Sequence, residues 1–185
     1  MNERHMTVYT ADCRGSVKNT SYPHKVEIAC EADLQRAAAL DHVCAAYADG
    51  VDKYGHPVKA HRSVSTFLQS DCLPVDLDND HSDDPADWKA LDDVRAAFPG
   101  VAFYAVPSRN HMKPKKDSKG VIRAARPKYH IYFPIDTVMD APEYSRMKER
   151  LLAIFPYLDD NAKDAARFLF GVDGAQVAFV GGDHA

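Results

Sequence analysis

Long apolar runs are missing from this chain of 185 residues. None approaches the roughly 20 residues that a membrane-spanning helix needs, so a membrane protein is excluded. The charged stretch from Met1 to Thr10 has no apolar segment behind it, and no secretory signal is visible. Closely spaced cysteines are also missing: Cys13, Cys30, Cys44 and Cys72 lie 17, 14 and 28 positions apart. Without a CxxC pair, neither a structural zinc site nor a disulfide framework is expected, and the chain reads as a reduced, cytoplasmic protein. Positive charge is not in excess. Against 23 Lys and Arg stand 27 Asp and Glu, for a net charge of −4, which argues against a general nucleic-acid coating protein. Repeats and low-complexity linkers are absent. What remains, 45% hydrophobic and 10% aromatic residues, suffices for a buried core in one compact domain or two small lobes.

The charge that is present is segregated. Nine Asp and one Lys fall between Asp71 and Val94. Eight Lys and Arg and one Asp fall between Ala105 and His130: Arg109, Lys113, Lys115, Lys116, Lys119, Arg123, Arg126 and Lys128 carry the positive charge. An acidic block followed by a basic one can bring metal ions beside phosphates, and it can also be two solvated loops of opposite sign.

Hydrophobic periodicity predicts short strands at Thr7 to Tyr9 and Val26 to Ile28. It predicts a helix over Glu31 to Asp49, with Leu40, Val43, Cys44 and Tyr47 as its stripe and Gly50 as its stop. Val51 to Pro57 reads as a loop, and Ser63 to Leu68 as a strand or the lead into one. From Leu73 to Asp78 apolar and polar residues alternate, so a strand sends Leu73, Val75 and Leu77 inward and Asp76 and Asp78 to the opposite face. A helix capped by Asp84, with Trp88, Leu91, Val94 and Phe98 as its stripe, is expected next. Strands over Val101 to Val106 and Lys128 to Ile135 follow, the latter with Arg126, Lys128, His130 and Tyr132 on one presumed open face. Then come a helix with Met147, Leu151 and Ile154, a turn around Asn161 to Ala166, a strand-like Phe168 to Phe170 and a last strand in Gln176 to Val180. The connections are irregular, which favours α+β over a doubly wound sheet.

Asp76 and Asp78 would lie roughly 7 Å apart along one strand face. Two carboxylates at that spacing favour a hard divalent cation between them, although DxD is common and an acidic strand end is the plainer reading. Arg126, Lys128 and His130 form a row suited to a polyphosphate, or a row of solvated charges. Asp159, Asp160 and Asp164 are a third acidic group, with Asp159 directly after apolar Leu158. Arg167 could be a surface partner of Asp164. Ser108 and Arg109 end a strand and could donate to phosphate.

Taken in order, CLPVDLDND, PSRNH, ARPKYHIYFPI and YLDDNAKDAARFLFG resemble the catalytic core of the archaeo-eukaryotic primase superfamily, nearest to the primase-polymerase domains of phage and plasmid replication proteins. Asp76 and Asp78 match that family's strand-borne DxD, Lys128-Tyr129-His130 its S/R-x-H, and Leu158-Asp159 its hydrophobic-Asp motif. The match spans about Phe67 to Gly171. Lys128 departs from the pattern, and the neighbours of Asp159 leave the third acid open among Asp159, Asp160 and Asp164.

The resemblance implies an α+β primase-like core with an RRM-like antiparallel or mixed sheet and packed helices, residues 1–66 forming an N-terminal lobe and 67–185 the catalytic sheet. It implies that Asp76, Asp78 and Asp159 hold two Mg²⁺ or Mn²⁺ ions, with these acids and His130 catalytic. Ser108, Arg109, Arg126, Lys128, His130 and Arg167 would bind an NTP or dNTP. Single-stranded DNA template and a primer strand are the expected partners, the loop from Arg109 to Arg123 contacting their backbone. A longer replication protein, with a helicase part or partner, is the expected context. Two other functions fit parts of the pattern. In a phosphohydrolase of the haloacid dehalogenase type, Asp76 would be a covalent nucleophile. In a non-catalytic origin or single-strand binding module, bases would stack on an open sheet face carrying Tyr132.

Overall fold

The computed structural model describes residues 5–116 and 120–181. Lys119 of the basic loop, residues 1–4 and residues 182–185 of the polar tail lie outside the described residues. The chain runs β1 (Met6–Thr10), β2 (His24–Ile28), α1 (Glu31–Ala37), β3 (His42–Val43), β4 (Ala45–Tyr47), β5 (Gly50–Val51), β6 (Pro57–Val58) and β7 (Phe67–Leu77). It continues as α2 (Leu91–Ala97), β8 (Phe103–Pro107), β9 (Lys115–Lys116), β10 (Ile122–Arg123), β11 (Tyr129–Val138), α3 (Ala141–Ile154) and β12 (Ala178–Val180). The fold is α+β, with antiparallel sheets and, among the described residues, three α-helices.

A five-stranded sheet in the order β12-β8-β11-β7-β4 divides the core. All its neighbours pair antiparallel. One face carries Leu73, Val75, Leu77, Phe103, Ile131 and Phe133, packed against Val94 and Phe98 from α2 and Tyr144, Leu152 and Phe155 from α3 or its end. The other face carries Cys72, Tyr104, Val106 and Tyr132. It is covered by Met6, Val8 and Ile28 of the β2-β1-β3 sheet and by Leu34 of α1. Among the described residues no helix is long and apolar enough to cross a membrane.

Covering both faces explains the main departures from periodicity. The face expected to be open is closed: Tyr132 is fully buried, which removes the exposed aromatic that base stacking needs. The helix expected to reach Asp49 stops at Ala37, and the chain turns into β3 and β4. Asp41 holds that turn, its carboxylate accepting from the backbone N–H groups of Gly15, Ser16 and Gly171. The run Val43 to Tyr47 satisfies a helical stripe and a buried strand equally, and pairing with β1 and β7 decides it. Local pairing of Gly50 with Val58 and of Val51 with Pro57 makes the ends of the expected loop at 51–57 the small hairpin β5-β6.

The helix expected after the acidic loop is split. Asp84 caps only a single 3₁₀ turn, Pro85–Asp87, and α2 begins separately at Leu91. Trp88 therefore leaves the stripe and donates its ring N–H to Ser82 O at 3.0 Å. On α3 the buried stripe is Tyr144, Lys148 and Leu152, while Ile154 is exposed. Phe168 to Phe170 forms no strand, only a bridge from Leu169 to His42. Gly171 follows so close to Leu40 that a Cβ there would lie 2.6 Å from the Leu40 carbonyl carbon. Position 171 thus has no room for a side chain.

Candidate functional site

The strand register brings the first two motif stretches together. In the antiparallel pairing of β11 with β7, His130 stands directly opposite Asp76. Its Nδ1 lies 2.6 Å from Asp76 Oδ1, and the Arg167 guanidinium contacts Asp76 Oδ2. Asp76 is 2% exposed, yet its carboxyl is held at about 2. Burial alone would raise it, and the charges and hydrogen bonds of His130 and Arg167 outweigh that effect. The third stretch arrives through the backbone: Asp159 N–H donates to Asp76 O at 2.8 Å. Arg167 also lies 3.9 Å from Asp159 Oδ2, so one guanidinium stands between two of the expected acids. Asp164 does not pair with it through its side chain; its Oδ1 caps Ala166 N–H.

Asp78 falls just past the end of β7 and belongs to a second group. Its carboxyl is raised by burial and by Asp76, Asp80 and Asp159, with Lys128 opposing. Lys128 Nζ sits 2.8 Å from Asp80 and 3.5 Å from Asp78. Arg126 donates to Asn79 O and Ser82 O and pairs with Asp83 at 2.8 Å. Of the row read as either a polyphosphate contact or solvated charges, Arg126 and Lys128 are therefore buried cations bound to the acidic loop. Residue 79 has a positive φ of 54° and a side chain tied to Lys89 and to Pro127 O, which folds the loop back over these cations.

A cavity of about 480 Å³ opens beside them. Arg126 and Lys128 line it together with Lys113, Lys115, Lys116 and Arg123 of the loop that carries β9 and β10, and with Asp80 and Asp83 of the acidic loop. Ser108, Arg109, His130 and Arg167 lie outside this lining. Ser108 is buried in the turn after β8, its N–H donating to Lys128 O and its O accepting from His111 N–H. Arg109 lies over the Phe170 ring, 3.5 Å from its centroid.

Two buried polar groups have no counterpart in the motif reading. His42 accepts at Nε2 from the Tyr132 hydroxyl, 2.8 Å away, because its Nδ1–H donates to Leu40 O. Burial pushes the imidazole down to about 4, so it is neutral at pH 7. Lys148 is buried on α3, donates to Asp164 O at 2.9 Å and is pushed down to about 8 by burial. His42, inside the stretch expected to be helical, and Lys148, on an apolar helix face, were both present in the sequence. Their pairing with partners 90 and 16 residues away was not legible there.

The oxygen donors of Asp76, Asp78 and Asp159 suit a hard divalent ion. In this arrangement, however, the side-chain cations of Arg167 and Lys128 stand among them. Among the described residues no three His, Cys, Asp or Glu side chains are grouped as a metal cage. Two buried nitrogens, His130 Nε2 and Arg167 Nε, make no hydrogen bond among the described residues, so the cluster keeps polar capacity for a further partner. No known family, curated protein or solved structure matches the chain.

Proposed function

We propose that the chain is a primase-polymerase catalytic domain of the archaeo-eukaryotic type, on an RRM-like sheet. It would be a nucleotidyltransferase that starts or extends strands from NTPs or dNTPs on a single-stranded template. The observation that carries this reading is the convergence of three separated motif stretches at one end of the sheet. His130 lies opposite Asp76, and Asp159 is joined to Asp76 by a backbone hydrogen bond.

In this reading Asp76, Asp78 and Asp159 hold two Mg²⁺ or Mn²⁺ ions, which when bound activate a 3′-hydroxyl and neutralise the triphosphate as pyrophosphate leaves. Asp76 fixes His130 through Nδ1, which leaves Nε2 to meet a phosphate oxygen. Arg167 holds Asp76 and Asp159 ready as a stand-in cation, and turns to the triphosphate when the acids are otherwise engaged. The basic cavity receives phosphates of the template or primer. The phosphohydrolase alternative leaves the pairing of His130 with Asp76 and the basic residues Arg126 and Lys128 without a role.

Incorporation of labelled NTP or dNTP on a single-stranded template, with and without primer and with Mg²⁺ or Mn²⁺, tests the proposal. Metal-dependent extension that Asp78→Ala and Asp159→Ala abolish is the expected result. Hydrolysis of a small phosphate ester without incorporation would refute it.

A further inference from the structure

The cavity beside the acidic loop holds surplus positive charge, and part of that charge is already engaged by the chain's own carboxylates. Asp83 bridges two arginines that line the cavity, Arg126 and Arg123 of β10. Asp80 bridges Lys128 at 2.8 Å and Arg126 at 3.7 Å. The cations are inside, with Arg126 and Lys128 side chains 3% and 5% exposed, while the carboxylates are outside at 61% and 64%. Two exposed oxyanions thus cap buried cations in the lining of a cavity whose other basic residues are Lys113, Lys115, Lys116 and Arg123. A carboxylate held by a guanidinium and an ammonium occupies the position a phosphate would take.

We infer that Asp80 and Asp83 are built-in competitors for phosphate groups in this cavity, so that a phosphate-bearing ligand binds by displacing the acidic loop. The inference rests on the cavity being a phosphate site, as proposed above, and it adds the regulation of that site. Exchange keeps each buried cation paired throughout, which makes displacement inexpensive where vacating the pairs would not be. Phosphates on a single strand and on a free triphosphate share this chemistry, and the probes below separate them.

Trp88, the only tryptophan in the chain, provides a readout. Its ring N–H donates to Ser82 O within the acidic loop, and the Arg126 guanidinium lies 5.5 Å from its ring. The full chain is titrated, without divalent ions, with oligothymidylate of about 10 nucleotides and separately with inorganic tripolyphosphate, while Trp88 fluorescence is followed. A saturable change that high salt removes is expected. A response to the oligonucleotide alone identifies a strand backbone as the ligand, and a response to tripolyphosphate identifies a free polyphosphate. Asp80→Asn and Asp83→Asn should each tighten binding about twofold to fivefold. Asp136→Asn, the same charge change at the exposed far end of β11, should leave it unchanged. Asp83 also braces the hairpin, so thermal melts accompany each variant, and Asp80→Asn tests competition without removing that brace. No Trp88 response to either probe, or binding by folded Asp80→Asn no tighter than by Asp136→Asn, overturns the inference. Because no metal or incorporation enters the assay, its failure is distinct from failure of the catalytic reading.

Discussion

Two charged regions lie side by side at one end of the central sheet, and they are built in opposite ways. Around Asp76 a single buried carboxylate is shared by His130 and Arg167, with both oxygens committed. In the neighbouring cavity six cations face two exposed carboxylates. In the first region strand register sets His130 against a buried carboxylate, and the pairings outweigh the cost of burying it. In the second the cations are buried but their carboxylate partners come from loops in contact with water, so one anion can be exchanged for another. Position along the sheet therefore separates a rigid centre from an adaptable one within a few residues of sequence.

The sharpest test of that contrast is removal of one acid from each region. Asp76→Ala leaves His130 and Arg167 without the buried carboxylate they share and should cost about 3–5 kcal/mol in urea unfolding. Asp83→Asn should cost clearly less, because Arg126 keeps Asn79 O, Ser82 O and Asp80 as partners and the lost carboxylate is exposed. Comparable losses in both would erase the distinction.

Acid unfolding probes the buried side further. The Asp76 carboxyl lies below its ordinary 3.8, at about 2, so its contribution is complete above 3.8 and disappears as pH falls to about 2. His42 lies below its ordinary 6.5, at about 4, so its neutral form stabilises the fold fully above 6.5 and that contribution is lost between 6.5 and about 4. Stability against pH should therefore fall in two legs, and His42→Gln should flatten the upper one only. Smaller still, Tyr132→Phe should cost about 1–3 kcal/mol by leaving His42 Nε2 without its donor. The smallest effect on folding belongs to the cavity wall. Lys115→Ala with Lys116→Ala should leave stability within about 0.5 kcal/mol. The same pair should lower the salt slope of oligonucleotide binding by about 0.7 per lost contact.

The comparison also shows what the amino-acid order could reveal. Strands β7, β8 and β11 were legible because their apolar alternation faces one helix-covered layer. The meeting of Asp76, His130 and Asp159 was legible only as an ordered set of motifs, since no local pattern encodes cross-strand register. The extent of α1 was misread because Leu40 to Tyr47 suits either period, and only distant pairing with β1 and β7 chooses between them. Arg126 and Lys128 carried the right charge but the wrong surroundings. Alternation with Tyr129 and Ile131 puts them opposite the helix-covered face, and the fold of the acidic loop around Asn79 then buries them. Tyr132 was assigned to an exposed face for the same reason. Periodicity says which residues share a side, never what lies on top of it.

The tight passage at Gly171 bears on how Arg167 reaches its place. Three anchors follow that arginine within five residues: the exchange of backbone hydrogen bonds between Leu169 and His42, Gly171 N–H on the Asp41 carboxylate, and Val172 N–H on Ala38 O. The segment is stitched to the stretch that ends the first helix with no clearance for even a methyl group. Enlarging position 171 would lift the seam and carry the guanidinium off Asp76 from a distance. A mutation hunt guided only by proximity to the acids would overlook this hinge-pin, although a single alanine there should disarm the whole cluster.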